Sequence, residues 1–181
     1  SIATSHHIGL HRLPPILREY VTRYPAVELD LRFMDSEEGC QKVERGDLEL
    51  AIVTLPGRTP SRLTAVPVWQ DPLAVIVAAS HPLASLSQPS LQDLAAYPAI
   101  LPSSATYTHE IVRRAFSKLN IELNVRLETN YLETIHMMVS IGLGWSTLPL
   151  TMVSAEVVPL ALPELSLSRT LGAVFHSERT L

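Results

Sequence analysis

The constraint that narrows this chain most is alternation. Strand-like stretches of continuous or alternating apolar residues occur at Val27–Met34, Leu48–Thr54, Leu73–Ala79, Pro98–Leu101, Val125–Glu128, Gly144–Leu148 and Arg169–His176. Between them lie stretches with apolar residues three and four apart, the spacing that lines one face of a helix. These are Pro14–Tyr24, Ser36–Arg45, His109–Leu119 and Tyr131–Ile141, with a short turn near Pro149–Ala155. In Pro14–Tyr24 the apolar face carries Ile16, Leu17, Tyr20 and Val21. Strands separated by helices join through crossovers rather than tight hairpins, so the order predicts α/β architecture with mainly parallel sheets.

Local punctuation agrees with this reading. Gly46 and Gly142 stand where the second and fourth long helices should stop. Asp35 and Ser36, Thr106 and Thr108, and Asn130 stand where helices should start, and each can accept a bond from a free helix amide. Pro82, Pro89 and Pro98 mark a connector in which Ser90–Leu94 reads as a short helix. Leu55–Ser61, with two prolines and a glycine, reads as a loop, and Leu63–Ala79 after it as one long extended run. A run of that length can carry the chain from one lobe into another, although periodicity alone does not separate a crossover from a hairpin.

Composition then excludes whole classes. The 181 residues suit one large domain or two small lobes, and 46% hydrophobic against 18% charged residues is ample for a core. No stretch nears the roughly 20 apolar residues of a membrane span; the longest apolar run, Leu73–Ala79, is strand-sized. The net charge is −4 and Lys and Arg are scattered, so the basic stripe that neutralises nucleic-acid phosphates is missing. The single cysteine, Cys40, precludes an internal disulfide framework and fits a reducing cytosol. The start at Ser1 fits either a fragment of a longer protein or a mature chain after signal removal.

The residues offer no catalytic constellation, and no metal or cofactor site is expected. His7 and His11 share a helix face, as in some zinc sites, but no neighbouring ligand set in the sequence completes them. His81, His109, His136 and His176 are isolated. Gly142-Leu143-Gly144-Trp145-Ser146 lacks both the third glycine of a phosphate loop and the flanking glycines of a nucleophile elbow. Glu37 and Glu38 are adjacent and do not face one another on a helix. Cys40, in an amphipathic helix, reads as packed.

The strand ends are more informative. In open α/β sheets ligands bind beyond the carboxyl ends of parallel strands, where helix amino termini also point. Those positions hold Thr4, Ser5, His6 and His7 after the first strand, Asp35 and Ser36 after the second, and Thr54 after the third. Later come Pro102, Ser103, Ser104 and Thr106, then Thr129, Asn130 and Tyr131. Each alone reads as a helix cap, whereas the set suits a site for a carboxylate, sulfate or similar anion.

Several motifs resemble the LysR-type transcriptional regulators, over nearly the whole chain and in the correct order. Leu13-Pro14-Pro15-Ile16-Leu17 followed by Tyr24-Pro25-Ala26-Val27-Glu28-Leu29 resembles the family's first helix and "YP-x-V-x-L". Gly46-Asp47-Leu48-Glu49-Leu50-Ala51-Ile52 is similar to "G-x-L-D-L-A-I", with Glu49 where aspartate is usual. His81-Pro82-Leu83-Ala84, Leu91-Gln92-Asp93-Leu94, and Val139–Gly144 followed by Leu148-Pro149 complete the series.

The resemblance implies an effector-binding domain of two Rossmann-like lobes joined by two crossover segments, like the type 2 periplasmic binding proteins. Lobe I would hold residues 1–70 and 156–181, and lobe II residues 71–155. It implies effector contacts at Ser5, His6, Ser36, Thr54, Pro102, Ser103, Ser104 and Asn130, within the strand-end set, in an interlobe cleft. His6-His7 departs from the small hydroxyl residues often found there; protonated, either imidazole would favour an anion, with binding weakening as pH rises past neutrality. The resemblance further implies a cytoplasmic homodimer or tetramer, pairing through lobe I by Pro14–Tyr24 and Val27–Phe33. DNA would be bound only by a winged helix-turn-helix domain absent from this chain. A periplasmic solute-binding protein of the same topology is the main alternative, and an α/β enzyme the second.

Overall fold

The structure is a computed structural model and describes residues 1–179. The chain divides into two compact units: unit 1 takes Ser1–Trp69 and the chain from Thr170 onward, unit 2 takes Gln70–Arg169.

In unit 1, β1 (Ile2–Thr4) lies between β2 (Leu31–Phe33) and β3 (Leu50–Thr54), parallel to both. Helix α1 (His6–His11) follows β1, α2 (Pro14–Arg23) follows α1, and α3 (Ser36–Arg45) connects β2 to β3. Ala3, Ala51 and Val53 are wholly buried. At Gly39 of α3 an added Cβ would touch Val53, Ala51 and Ala3, so the glycine lets helix and sheet approach closely. The helix stops at Gly46, whose φ of 84° only glycine adopts without strain. Ile8, Leu13 and Leu171 form a second small core with Leu17, Ile52 and Trp69.

In unit 2, β5 (Ala99–Leu101) pairs in parallel with β6 (Val125–Glu128), and Trp145 bridges in parallel to Ala99 on the other side. Residues Leu73–Ile76 of β4 (Leu63–Ala78) pair antiparallel with β7 (Ser146–Pro149), and Ile76–Ala78 with β8 (Val157–Pro159). Helices α4 (Leu91–Ala95), α5 (Tyr107–Lys118) and α6 (Leu132–Ser140) surround these strands. Phe116 of α5 stacks on Trp145 at 5.5 Å, and the Trp145 ring N–H donates to the Tyr97 carbonyl at 3.1 Å. Ile135 and Val139 of α6 pack with Ile76, Ile100 and Leu148.

The structure differs from the sequence expectations in several places. The sheets are mixed: β9 (Leu167–His176) runs antiparallel to β3, and β4 antiparallel to β7 and β8. Helix–strand alternation does not encode the direction of the long strands that leave one unit and enter the other. The β8 strand is additional, too short for periodicity to detect, and α1 supplies the helix face that His7 and His11 share. The expected strand Val27–Met34 shrinks to Leu31–Phe33. The sequence reading returned the chain to the first lobe at Glu156, whereas 156–169 belong to unit 2 because β8 pairs with β4 there. The Pro14–Arg23 helix buries no residue: Ile16, Tyr20 and Val21 face solvent and only Leu17 reaches the core.

Candidate functional site

Parallel pairing places strand ends together. In unit 1, Thr4 is in register with Phe33 and with Ile52, so β1, β2 and β3 finish along one edge. Thr4 itself is the last residue of β1 and is fully buried. Ser5 follows as the N-cap of α1, extended and without a side-chain cap bond. His6 and His7 occupy the first turn of α1. The His6 ring stands edge-on to Phe33 at 6.2 Å, and the His7 and His11 rings lie 4.4 Å apart.

Two members of this set are joined directly. Ser36, the first residue of α3, is buried, and its Oγ accepts the backbone N–H of Thr54 at 3.0 Å. Asp35 is the N-cap, but no side-chain cap bond forms there. The bond links the β2–α3 junction to the end of β3. With Oγ used as an acceptor towards the protein, the hydroxyl hydrogen of Ser36 is what remains for a further partner.

Unit 2 repeats the arrangement. Leu101 of β5 is in register with Glu128 of β6, and the Thr129 N–H donates to the Leu101 carbonyl at 3.1 Å. Asn130 does not cap α6, whose N-cap is Tyr131. Instead its Oδ1 accepts the Ser103 N–H at 2.8 Å, tying the two strand ends together. Its carboxamide oxygen is thereby directed to the protein, and the NH₂ is the donor end of the side chain. Pro102 is buried, Ser103 half-buried, and Ser104 and Tyr131 exposed.

The loop between β5 and α5 is held from beneath. Thr106 Oγ1 donates to the Ser103 carbonyl at 2.7 Å and accepts the His109 N–H at 3.2 Å, the N-cap role that its position forecasts. His109, read from sequence as isolated, is buried, and its Nδ1–H donates to the Pro102 carbonyl at 2.9 Å. No spacing rule would have found that bond, because a histidine one turn into a helix reads as a face residue. Outside this set, Ser87–Ser90 and Ala161–Glu164 line an open depression of about 670 Å³ in unit 2. None of the strand-end residues borders it.

Comparison with known proteins places this arrangement. The LysR substrate binding domain family matches residues 1–181. The chain belongs to that family. A probable RuBisCO transcriptional regulator of Nostoc sp. (strain PCC 7120) is 24% identical over 98% of this chain and 56% of the relative. The HTH-type transcriptional regulator CysB of Burkholderia cenocepacia is 28% identical over 80% of this chain and 46% of its own length. This LysR-family chain thus spans about half the length of the curated relatives it matches.

Among solved structures, the regulatory domain of CcmR from Synechocystis PCC6803, in complex with 2-PG, superposes with a TM-score of 0.85 at 26% identity. It covers 99% of this chain and 88% of that one. The effector binding domain of QuiR, in complex with shikimate, reaches a TM-score of 0.87 at 19% identity with the same coverage. The QuiR likeness shows the fold, the type 2 periplasmic-binding-protein arrangement expected from sequence. No helix among the described residues is long and apolar enough to cross a membrane.

Proposed function

We propose that this domain senses a small polar or anionic effector through Ser5, His6, His7, Ser36 and Thr54 of unit 1 and Pro102, Ser103, Ser104, Asn130 and Tyr131 of unit 2. The carrying observation is a pair of hydrogen bonds between strand ends, one in each unit. Ser36 Oγ accepts from Thr54 and Asn130 Oδ1 accepts from Ser103, so in each unit a side chain at one strand end holds the backbone at another and gathers the polar groups there. Hydroxyl, carboxamide and backbone donors gathered at strand ends favour ligands rich in acceptors, such as carboxylates and oxyanions.

The full-length protein would use this domain to control transcription, binding DNA through a separate N-terminal domain and working in the cytoplasm without catalysing a reaction. Unit 1, Ser1–Trp69 with the chain from Thr170 onward, and unit 2, Gln70–Arg169, would act as the two regulatory lobes. Ile16, Tyr20, Val21, Tyr24, Val27 and Phe33 form an exposed apolar set on α2 and around β2, which supports self-association into a dimer or tetramer. The relatives described above are transcriptional regulators, which favours this reading over solute transport.

Thermal-shift and calorimetric titration with small carboxylates, sulfate, phosphate and matched organic cations tests it. Acceptor-rich anions should stabilise the domain, cations should not, and Ser36→Ala and Asn130→Ala should each weaken anion binding by about tenfold, the worth of one good hydrogen bond. Equal shifts from cations and anions, or variants that bind as the native domain does, would overturn the proposal.

A further inference from the structure

Unit 2 begins at Gln70 and ends at Arg169, and a buried ion pair sits where the chain comes in and goes out. Arg169 Nε donates to Asp71 Oδ2 at 2.7 Å, with side chains only 5% and 3% exposed. Beside the pair, Ser168 Oγ donates to Gln70 Oε1 at 3.4 Å. The partners are 98 residues apart in sequence, so these bonds fix the register of two distant segments.

Arg169 also reaches α5. Its Nη1 donates to Thr108 Oγ1 at 3.5 Å, a long bond between buried groups. Thr108 stands between Thr106 and His109, the two residues that hold the Ser103 and Pro102 carbonyls. Taking two charges out of water is costly, and apolar residues of equal volume often do as well for stability alone. A guanidinium offers something apolar residues cannot: a rigid planar fork that sets the geometry of several partners at once.

We infer that Arg169 is a positioning residue for the strand-end loop of unit 2, tying the paired crossings at Asp71 to the first turn of α5 and so to Pro102–Thr106. The inference rests on the effector-binding reading of that loop. Its consequence is reciprocal: a ligand that orders the loop is coupled to the crossings through Thr108 and Arg169, and a change at the crossings alters the loop.

Hydrogen–deuterium exchange of the unliganded domain tests this without any effector. The amides to follow are those of Ala105, Thr106 and His109, which bond to Ser103 or to Thr106. Thr108→Val removes the link to α5 but keeps the ion pair. The double variant Asp71→Leu/Arg169→Met removes both charges and leaves neither stranded. In both, these three amides should exchange at least about tenfold faster than in the native domain, while amides of α3 in unit 1 stay unchanged. A role in stability alone would raise exchange throughout unit 2 instead.

Rates within about twofold of native at the three amides in Thr108→Val would overturn the inference, even where the double variant fails to fold. With inorganic sulfate as probe, Thr108→Val should weaken binding about fivefold. Native domain that ignores sulfate and the other anions counts against the effector reading, whereas the exchange rates still decide the role of Arg169.

Discussion

In unit 1 a hydroxyl oxygen, Ser36 Oγ, accepts the amide of Thr54 at a neighbouring strand end; in unit 2 a carboxamide oxygen, Asn130 Oδ1, accepts that of Ser103. The geometry is the same trick performed with different side chains. What differs is the support. Ser36 is buried at the start of α3, a helix that Gly39 lets pack closely on Val53, Ala51 and Ala3 of the sheet, so its position follows from that packing. The Asn130–Ser103 bond lies nearer solvent and is backed by buried polar groups: His109, Thr108, Arg169 and Asp71. Packing places a group by excluding alternatives, and hydrogen bonds place one by direction. Polar support is costlier to break halfway, because the partner left behind remains buried.

That asymmetry gives the largest expected effect. Asp71→Ala strands the Arg169 guanidinium without its carboxylate partner, and should cost about 3–5 kcal/mol. The two tryptophans report the outcome separately, Trp69 belonging to unit 1 and Trp145 to unit 2. Urea denaturation followed by the fluorescence of a Trp69→Phe background should show the Trp145 transition moved to much lower denaturant. A loss below about 1 kcal/mol would mean the pair is solvated and that unit 2 has no special polar support.

Glycine substitutions probe how each unit yields to volume. A Cβ at Gly144 would run into the Pro98 carbonyl, backbone that is held by the N–H of Trp145 at 3.0 Å. A Cβ at Gly9 would meet the Phe33 ring and the Thr4 methyl. Phe33 is 51% exposed and can swing away. Gly144→Ala should therefore cost about 3 kcal/mol and Gly9→Ala about 1 kcal/mol, near the two ends of the range for overpacking. Equal losses by thermal or urea denaturation would break the contrast between rigid backbone and yielding side chain.

The strand-end bonds themselves come next. Ser36→Ala deprives a buried amide of its acceptor and should cost about 2 kcal/mol; Asn130→Ala, where water can reach Ser103, about 1 kcal/mol. The reverse order would show that burial does not set the value of these two bonds.

How much of this the sequence carries depends on the range of each signal. Local signals are legible: Gly46 and Gly142 do adopt a φ of 84°, Thr106 does cap α5, and Leu63–Ala78 is one continuous strand. The strand-end rule also picks out Ser36, Thr54, Ser103 and Asn130, four residues that the structure joins in two bonds. It assigns Asn130 the wrong partner, because a residue before a helix reads as its cap whatever lies across the sheet. The supporting groups are invisible for the same reason. Nothing within several residues of Asp71 announces Arg169, and nothing near Pro102 announces the ring of His109, since these pairings exist only once the strands are in place.

Acid sharpens the comparison at its smallest scale. In unit 2, His81 Nδ1 accepts the Leu83 N–H at 3.1 Å, capping the 3₁₀ turn at Pro82–Ser85, and its ring meets Tyr97 edge-on at 4.6 Å. Burial holds its pKa below the usual 6.5. The unfolded chain therefore binds the proton more readily than the folded one, and stability rises with pH across the interval below 6.5. The contribution is fully present above 6.5 and is lost as pH falls through the depressed folded value, where protonation also removes the lone pair that caps Leu83. The loss should stay below about 1 kcal/mol, the usual worth of one cap. His81→Asn keeps an acceptor that does not titrate, so urea titrations between pH 7.5 and about 5 should show a flatter profile for the variant at Trp145. Identical slopes in variant and native protein would assign the acid sensitivity to other groups and leave His81 as packing alone.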